Sequence, residues 1–531
     1  MNLAIMIPLV IVYMAIMSGL AYYGYRKTNT EADYLVAGRN INPVVMALSY
    51  GATFISTSAL VGFGGVSAVY GFGLLWLAFL NIALGIFVAF ALFGTRIRKL
   101  SADLNVSTFP SLLGERYNSK FITVFSGIMI FLFMPAYTSI VLIGGGRFLQ
   151  ETLSVNFNIA LLLLALIVAI YVISGGLKAV MYTDAFAAVV MLVMMIVFLV
   201  GTYYAVGGVM EGHNGLTALK GLVPDALVEQ GHRGWTSMPA LGSPMWWTLV
   251  STLIMGVGIG VLAQPQLAMR CMTVKDNRAL YRSVLVGGIF IFFMTGAVFM
   301  IGPLSNLYFY NTSGEIALTA AGGNIDLIIP ILINEMMPDW VVYLFTLTAL
   351  SAVISTVSSL IHVQSTSFSE DILKNFGIKS AFDNKISLSR LGVIIGMIAA
   401  VILAYLLPGG VIAQATSFWF GICAAGFLPV LVGGLYWKRA SKSGAVASII
   451  VGFTVSIIGF LFFHQKEAAG IGLSNALFGT DTLLEYPVTH IDPLFYSLPL
   501  STLAFIAVSL ATNVKTDQKM SRESIELKKT L

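Results

Sequence analysis

Four hydroxyl side chains, Ser355, Thr356, Ser358 and Ser359, fall within the apolar run 345-FTLTALSAVISTVSSLIHVQSTS-367. On a helix of about 3.6 residues per turn, Ala352, Ser355, Thr356 and Ser359 stand at i, i+3, i+4 and i+7, one continuous face, with Ser358 beside it. Each hydroxyl can bond back to the carbonyl of its own preceding turn. Four at one level, beside freed carbonyls of a broken neighbour, suit a hard monovalent cation that exchanges its water for several neutral oxygens. Of the 24 Asp and Glu residues, only Asp184, in VMYTDAFAAVVMLVMM, lies inside an apolar run rather than in a loop, a tail or at an edge. A carboxylate at bilayer depth costs at least about 2.5 kcal/mol and is a functional candidate by default. The alternative is that Asp184 sits near the inner end of its span and pairs with Lys178 or reaches interfacial water.

The freed carbonyls have two candidate sources. The stretch SYGATFISTSALVGFGGVSAVYG combines Gly51, Gly62, Gly64 and Gly65 with Ser56, Thr57 and Ser58, and STLIMGVGIGVLAQPQLAMRC combines Gly256, Gly258 and Gly260 with Gln264, Pro265 and Gln266. Glycine and proline weaken helices, and non-helical backbone at membrane depth survives only against protein or a watery cavity. Paired interruptions in two halves of a chain point to a transporter's binding site. Small residues also let unbroken helices pack closely, so both readings stand for the glycines.

The elements that must position these groups are membrane spans. The chain has 531 residues, 58% hydrophobic and 10% charged, too apolar for a soluble domain, and runs of about 20 apolar residues recur along its length. Thirteen spans are expected, at 2–25, 43–69, 72–97, 121–149, 158–177, 181–208, 244–269, 281–309, 340–365, 385–407, 412–437, 443–463 and 494–512, with no soluble domain appended. The first lacks the basic start and cleavage site of a secretory signal. With the N-terminus outside, the 29 Lys and Arg residues all fall on the cytoplasmic side except Arg147, Lys220, Arg233 and Lys466, as basic residues favour the inner face. The net charge of +5 therefore describes a face against anionic lipid, and no nucleic-acid partner is expected. Cys271 and Cys423 lack metal or redox spacing. Only His362 among five histidines lies in a span, which excludes enzymes needing paired intramembrane imidazoles.

The signatures ADYLVAGRN, ATFISTSALVGFGGVSAVYG, ISGGLKAVMYTDAFAAVVML, AQPQLAMRC, ISTVSSLIHVQSTSFSEDIL and GLYWKRASKSGAVASIIVG, in this order and spacing over residues 30 to 460, resemble the sodium/solute symporter family. That resemblance implies an all-α membrane protein with an inverted five-helix repeat core of the LeuT type. The units would be 1–40, an added helix and inner loop; 41–208, the first repeat; 209–243, an external loop; 244–437, the second repeat; 438–512, two peripheral helices; and 513–531, a cytoplasmic tail. It implies a sodium ion held by the carbonyls of Ala52, Ile55 and Ala352 and the hydroxyls of Ser355 and Thr356. Members with a second sodium would hold it through Asp184, Ser355, Ser358 and Ser359. The resemblance also places Tyr137 of the fourth span against substrate.

Two departures matter: proline carriers have an aspartate where this chain has Phe54, and sugar carriers a glutamine where it has Ala59. The wording is nearest the pantothenate and monocarboxylate branches. The expected activity is transport rather than catalysis: sodium-coupled uptake of a small organic acid across the cell membrane by alternating access. Proline, sugar or sialic acid carriage, proton coupling at Asp184, and a channel or sensor on the same scaffold are the alternatives. No Lys or Arg is expected at mid-membrane near the two breaks, except that Arg147 caps the outer end of the fourth span, so a carboxylate would be held by half-helix N-termini, Ser56 and similar hydroxyls. Gly256, Gly258, Gln264 and Gln266 complete the expected substrate set. Oligomeric state is left open.

Overall fold

The computed structural model describes residues 3–378, 385–407 and 412–512; Lys379 and the expected tail at 513–531 lie outside them. The described residues fold into helices, without strands. Eleven are long and apolar enough to cross a membrane, and Pro43–Phe54 and Phe157–Ile170 are shorter apolar helices. One of the eleven, Ser58–Asp103, has 46 residues, about 69 Å if straight and twice the hydrocarbon thickness. It therefore holds the C-terminal half of the second span and the whole third, divided at Gly71, whose φ is +70° and whose missing Cβ would stand 2.1 Å from the Trp235 carbonyl. The 49-residue run Phe157–Ala205 likewise carries the fifth and sixth spans, kinked at Gly176 with φ 61°.

Both suspected spans are broken. In the second, Pro43–Phe54 ends at Ile55, which is extended (φ −87°, ψ 95°), and helix resumes with Ser58–Gly62 and Phe63–Tyr70. In the seventh, the N-terminal half runs to Val261–Ala263, Gln264 is extended (φ −73°, ψ 118°), and Pro265–Cys271 begins with its proline at the first helical position, where its missing N–H costs nothing.

The glycines pack rather than break. A Cβ at Gly65 would lie 2.0 Å from the Ile325 carbonyl, at Gly260 2.5 Å from the Phe420 carbonyl, and at Gly51 2.4 Å from the Phe290 ring. The breaks fall at Ile55–Ser56 and at Gln264, where polar groups receive the released backbone. Around them the ninth span, Asp339–Thr366, is the most enclosed, 94% of its central window being buried against 22% for the first. A hydroxyl-bearing helix can be this deep only because protein, not lipid, surrounds it.

Candidate ion and substrate site

The ninth-span hydroxyls divide into two behaviours. Ser355 Oγ donates to the Ala52 carbonyl at 2.9 Å and stands 3.4 Å from the Ala352 carbonyl. Thr356 Oγ1 reaches the carbonyls of Thr53 at 3.2 Å and Ala52 at 3.3 Å. These two cross to the last turn before the second-span break. Ser358 and Ser359 instead donate back to the Ser355 carbonyl of their own helix, at 3.1 and 2.7 Å. All four are fully buried. Ile55 follows at once, turned out of helical geometry with its N–H still bonded to Gly51. Ser355, Thr356 and the carbonyls of Ala52, Thr53 and Ala352 are thus neutral oxygens of two helices brought together beside the break at Ile55. Such oxygens replace a monovalent cation's hydration shell without adding charge.

Asp184 does not pair with Lys178. It is 1% exposed, and its Oδ2 accepts from Ser49 Oγ at 2.8 Å, Arg270 Nη2 at 2.9 Å and Thr53 Oγ1 at 3.4 Å. Lys178 pairs with Asp33 at 2.5 Å instead. The expectation that no Lys or Arg lies at depth near the breaks is corrected: Arg270 is fully buried. The break at Gln264 starts a new half-helix inside the protein, and Arg270, on its second turn, is carried inward rather than into a loop. Its Nε donates to Ser49 Oγ at 3.1 Å, its Nη1 to the Gln266 carbonyl at 2.9 Å, and its Nη2 also to Ser359 Oγ. A buried guanidinium is tolerable only when paired and bonded in this way.

At the second-span break lies a cavity of about 30 Å³ walled by Phe54, Ile55, Ser56, Ala59, Tyr137, Phe420 and neighbours from the third, seventh and eighth spans. Tyr137 and Ser56 share this wall, and the Tyr137 ring meets Phe420 edge-on at 5.7 Å. The two departures, Phe54 and Ala59, both face this space. Thr295 and Thr416, also on the wall, are satisfied by their own helices. Asn81 is not: it is 3% exposed, lines the cavity, and its Oδ1 has no hydrogen-bond partner. Neither Asn81 nor Arg270 stands out in the sequence; an amide inside LAFLNIALG is the available signal for the first. No lining residue of the cavity carries a charge.

Four expected substrate residues lie off this wall. Gly258 packs on Leu80, and Gly256 faces Ser417. Gln264 Nε2 bonds to the Gly260 carbonyl at 3.3 Å, and Gln266 Nε2 to Gln264 Oε1 at 3.1 Å. The cavity is well below the few hundred Å³ of an ordinary ligand pocket.

The family model described as the sodium:solute symporter family matches residues 34–452. The sodium/pantothenate symporter of Haemophilus influenzae is 32% identical over 458 residues, 85% of this chain and 89% of that protein. The sodium/pantothenate symporter of Escherichia coli is 26% identical over 98% of this chain and 100% of its own length, and the high-affinity proline transporter PutP of Bacillus subtilis is 28% identical over 83% and 89%. A substrate-bound, outward-open Na⁺-coupled sialic acid symporter superposes with a TM-score of 0.74 at 18% identity, covering 96% of this chain and 98% of that one, so the fold is shared. The chain belongs to the sodium:solute symporter family, a multi-pass membrane protein whose activity is sodium-coupled solute symport.

Proposed function

We propose that the protein imports a small organic monocarboxylate of the pantothenate kind, driven by sodium bound among Ala52, Ile55, Ala352, Ser355 and Thr356. The observation that carries this reading is the pair of hydroxyls on the ninth span bonded across to carbonyls at the second-span break. Sodium arriving there draws the two helices together, and it drives transport because it binds one arrangement of them better than the other. The two broken spans are the first members of repeats covering 41–208 and 244–437, with the N-terminus outside and the C-terminus cytoplasmic, an orientation that the basic loops favour even without the buried Arg270.

The substrate reading rests on the cavity wall. Phe54 and Ala59 remove the polar groups by which proline and sugar branches would be recognised, and leave an aromatic enclosure with Tyr137, Ser56 and Asn81 as its polar groups. The unpartnered Asn81 oxygen calls for a donor on the solute, which the hydroxyl or amide of a pantothenate-like acid supplies and a bare fatty acid does not. A carboxylate in this uncharged wall is held by neutral donors and balanced by the sodium ion. Uptake of labelled pantothenate, lactate, proline and sialic acid into proteoliposomes, with and without an inward sodium gradient, tests the reading. It holds if a hydroxy or amido acid is concentrated only with sodium, and fails if proline or the sugar acid alone is carried.

A further inference from the structure

We propose that Arg270 is the resident cation at Asp184 and Ser359, so that the chain binds one sodium ion where relatives with a second site bind two. The inference rests on the hydroxyl-site reading above. A second sodium would need Asp184, Ser355, Ser358 and Ser359, and these residues do not fit it here. The carboxylate's Oδ2 already accepts from the Arg270 guanidinium at 2.9 Å and from Ser49 at 2.8 Å, and Ser359 accepts from the same guanidinium. Ser358 and Ser359 both donate to the Ser355 carbonyl, which leaves their oxygens as acceptors, but the acceptor side of Ser359 is the one the guanidinium takes. Asp184 Oδ1, which has no hydrogen-bond partner among the described residues, and the Ser358 hydroxyl oxygen are left beside Ser355 of the first site, fewer oxygens than a dehydrated cation needs.

Charge gives the same answer. Arginine does not lose its proton in proteins, and Arg270 and Asp184 are both fully enclosed. Adding sodium would place two positive charges on one carboxylate where attraction and repulsion are weakly screened. The guanidinium is also fixed: its Nη1 bonds to the Gln266 carbonyl one turn back and its Nε to Ser49 on the second span. It is therefore part of the inner half of the seventh span, a cation that the chain supplies and does not export.

Equilibrium dialysis of the purified full-length chain against ²²Na⁺ counts the ions directly. The wild type is expected to hold one per chain, as is Arg270→Lys, which keeps the tethered charge. Arg270→Gln is expected to hold two, with a steeper isotherm, and adding Asp184→Asn to it returns the count to one. Two ions on the wild type overturn the proposal while leaving the hydroxyl site in place, as does a folded Arg270→Gln that still holds one. No saturable sodium on the wild type overturns both readings together. The wild-type count decides the matter even where Arg270→Gln does not fold.

Discussion

Asn81 lines the cavity, and its buried carbonyl oxygen has no hydrogen-bond partner among the described residues. Leaving such an acceptor unsatisfied costs about 1–3 kcal/mol, which substrate binding would recover. Asn81→Leu, close in volume, is therefore expected to raise the substrate KM about tenfold while leaving sodium half-saturation in the absence of substrate unchanged; uptake kinetics and sodium isotherms check the two halves separately. The hydroxyl face of the ninth span is legible in the sequence because four hydroxyls at one level of an apolar helix have few other uses. What their spacing does not reveal is the division within that face, two hydroxyls crossing to the second span and two returning to their own helix. Arg270 is illegible for a different reason. AMRC leads into TVKDNR, which looks like a basic inner loop, and only the half-helix begun at Pro265 takes the side chain inside.

The broken helices show how far composition carries at the scale of elements. Both suspected spans are interrupted, yet at Ile55–Ser56 and Gln264 rather than at their glycines. A helix stays open where other groups take over its backbone bonds: Ser355 and Thr356 cap the freed carbonyls of the second span, and Ser56 Oγ accepts from the Ser58 N–H that restarts it. Those partners are distant in sequence, so local propensity locates the span but not the residue. The glycines answer to packing instead. Gly65→Ala forces a methyl to within 2.0 Å of the Ile325 carbonyl and is expected to cost about 1–3 kcal/mol of stability, the range for overpacking, read as a lowered melting temperature in detergent. Gly296→Ala, with nothing within 4 Å of the new Cβ, is expected to be neutral or stabilising by up to about 1 kcal/mol. Equal effects at the two positions would contradict the packing account.

For the molecule as a whole, one sodium ion carried with one monocarboxylate moves no net charge. A membrane potential of 100 mV acts on each translocated charge with about 2.3 kcal/mol, so an imposed potassium diffusion potential is expected to leave the initial uptake rate unchanged within about twofold. A current growing with potential would mean a second cation. The central claim, that oxygens of a broken second span and an intact ninth span hold sodium, is tested most directly by the sodium dependence of uptake in Ser355→Ala and Thr356→Ala. Each removes one oxygen from the cluster, and a loss of about 1.4 kcal/mol is tenfold in affinity. The half-saturating sodium concentration should rise about tenfold or more in either variant, with substrate transport recovering at high sodium. Uptake in both variants that saturates at the wild-type sodium concentration would contradict the account.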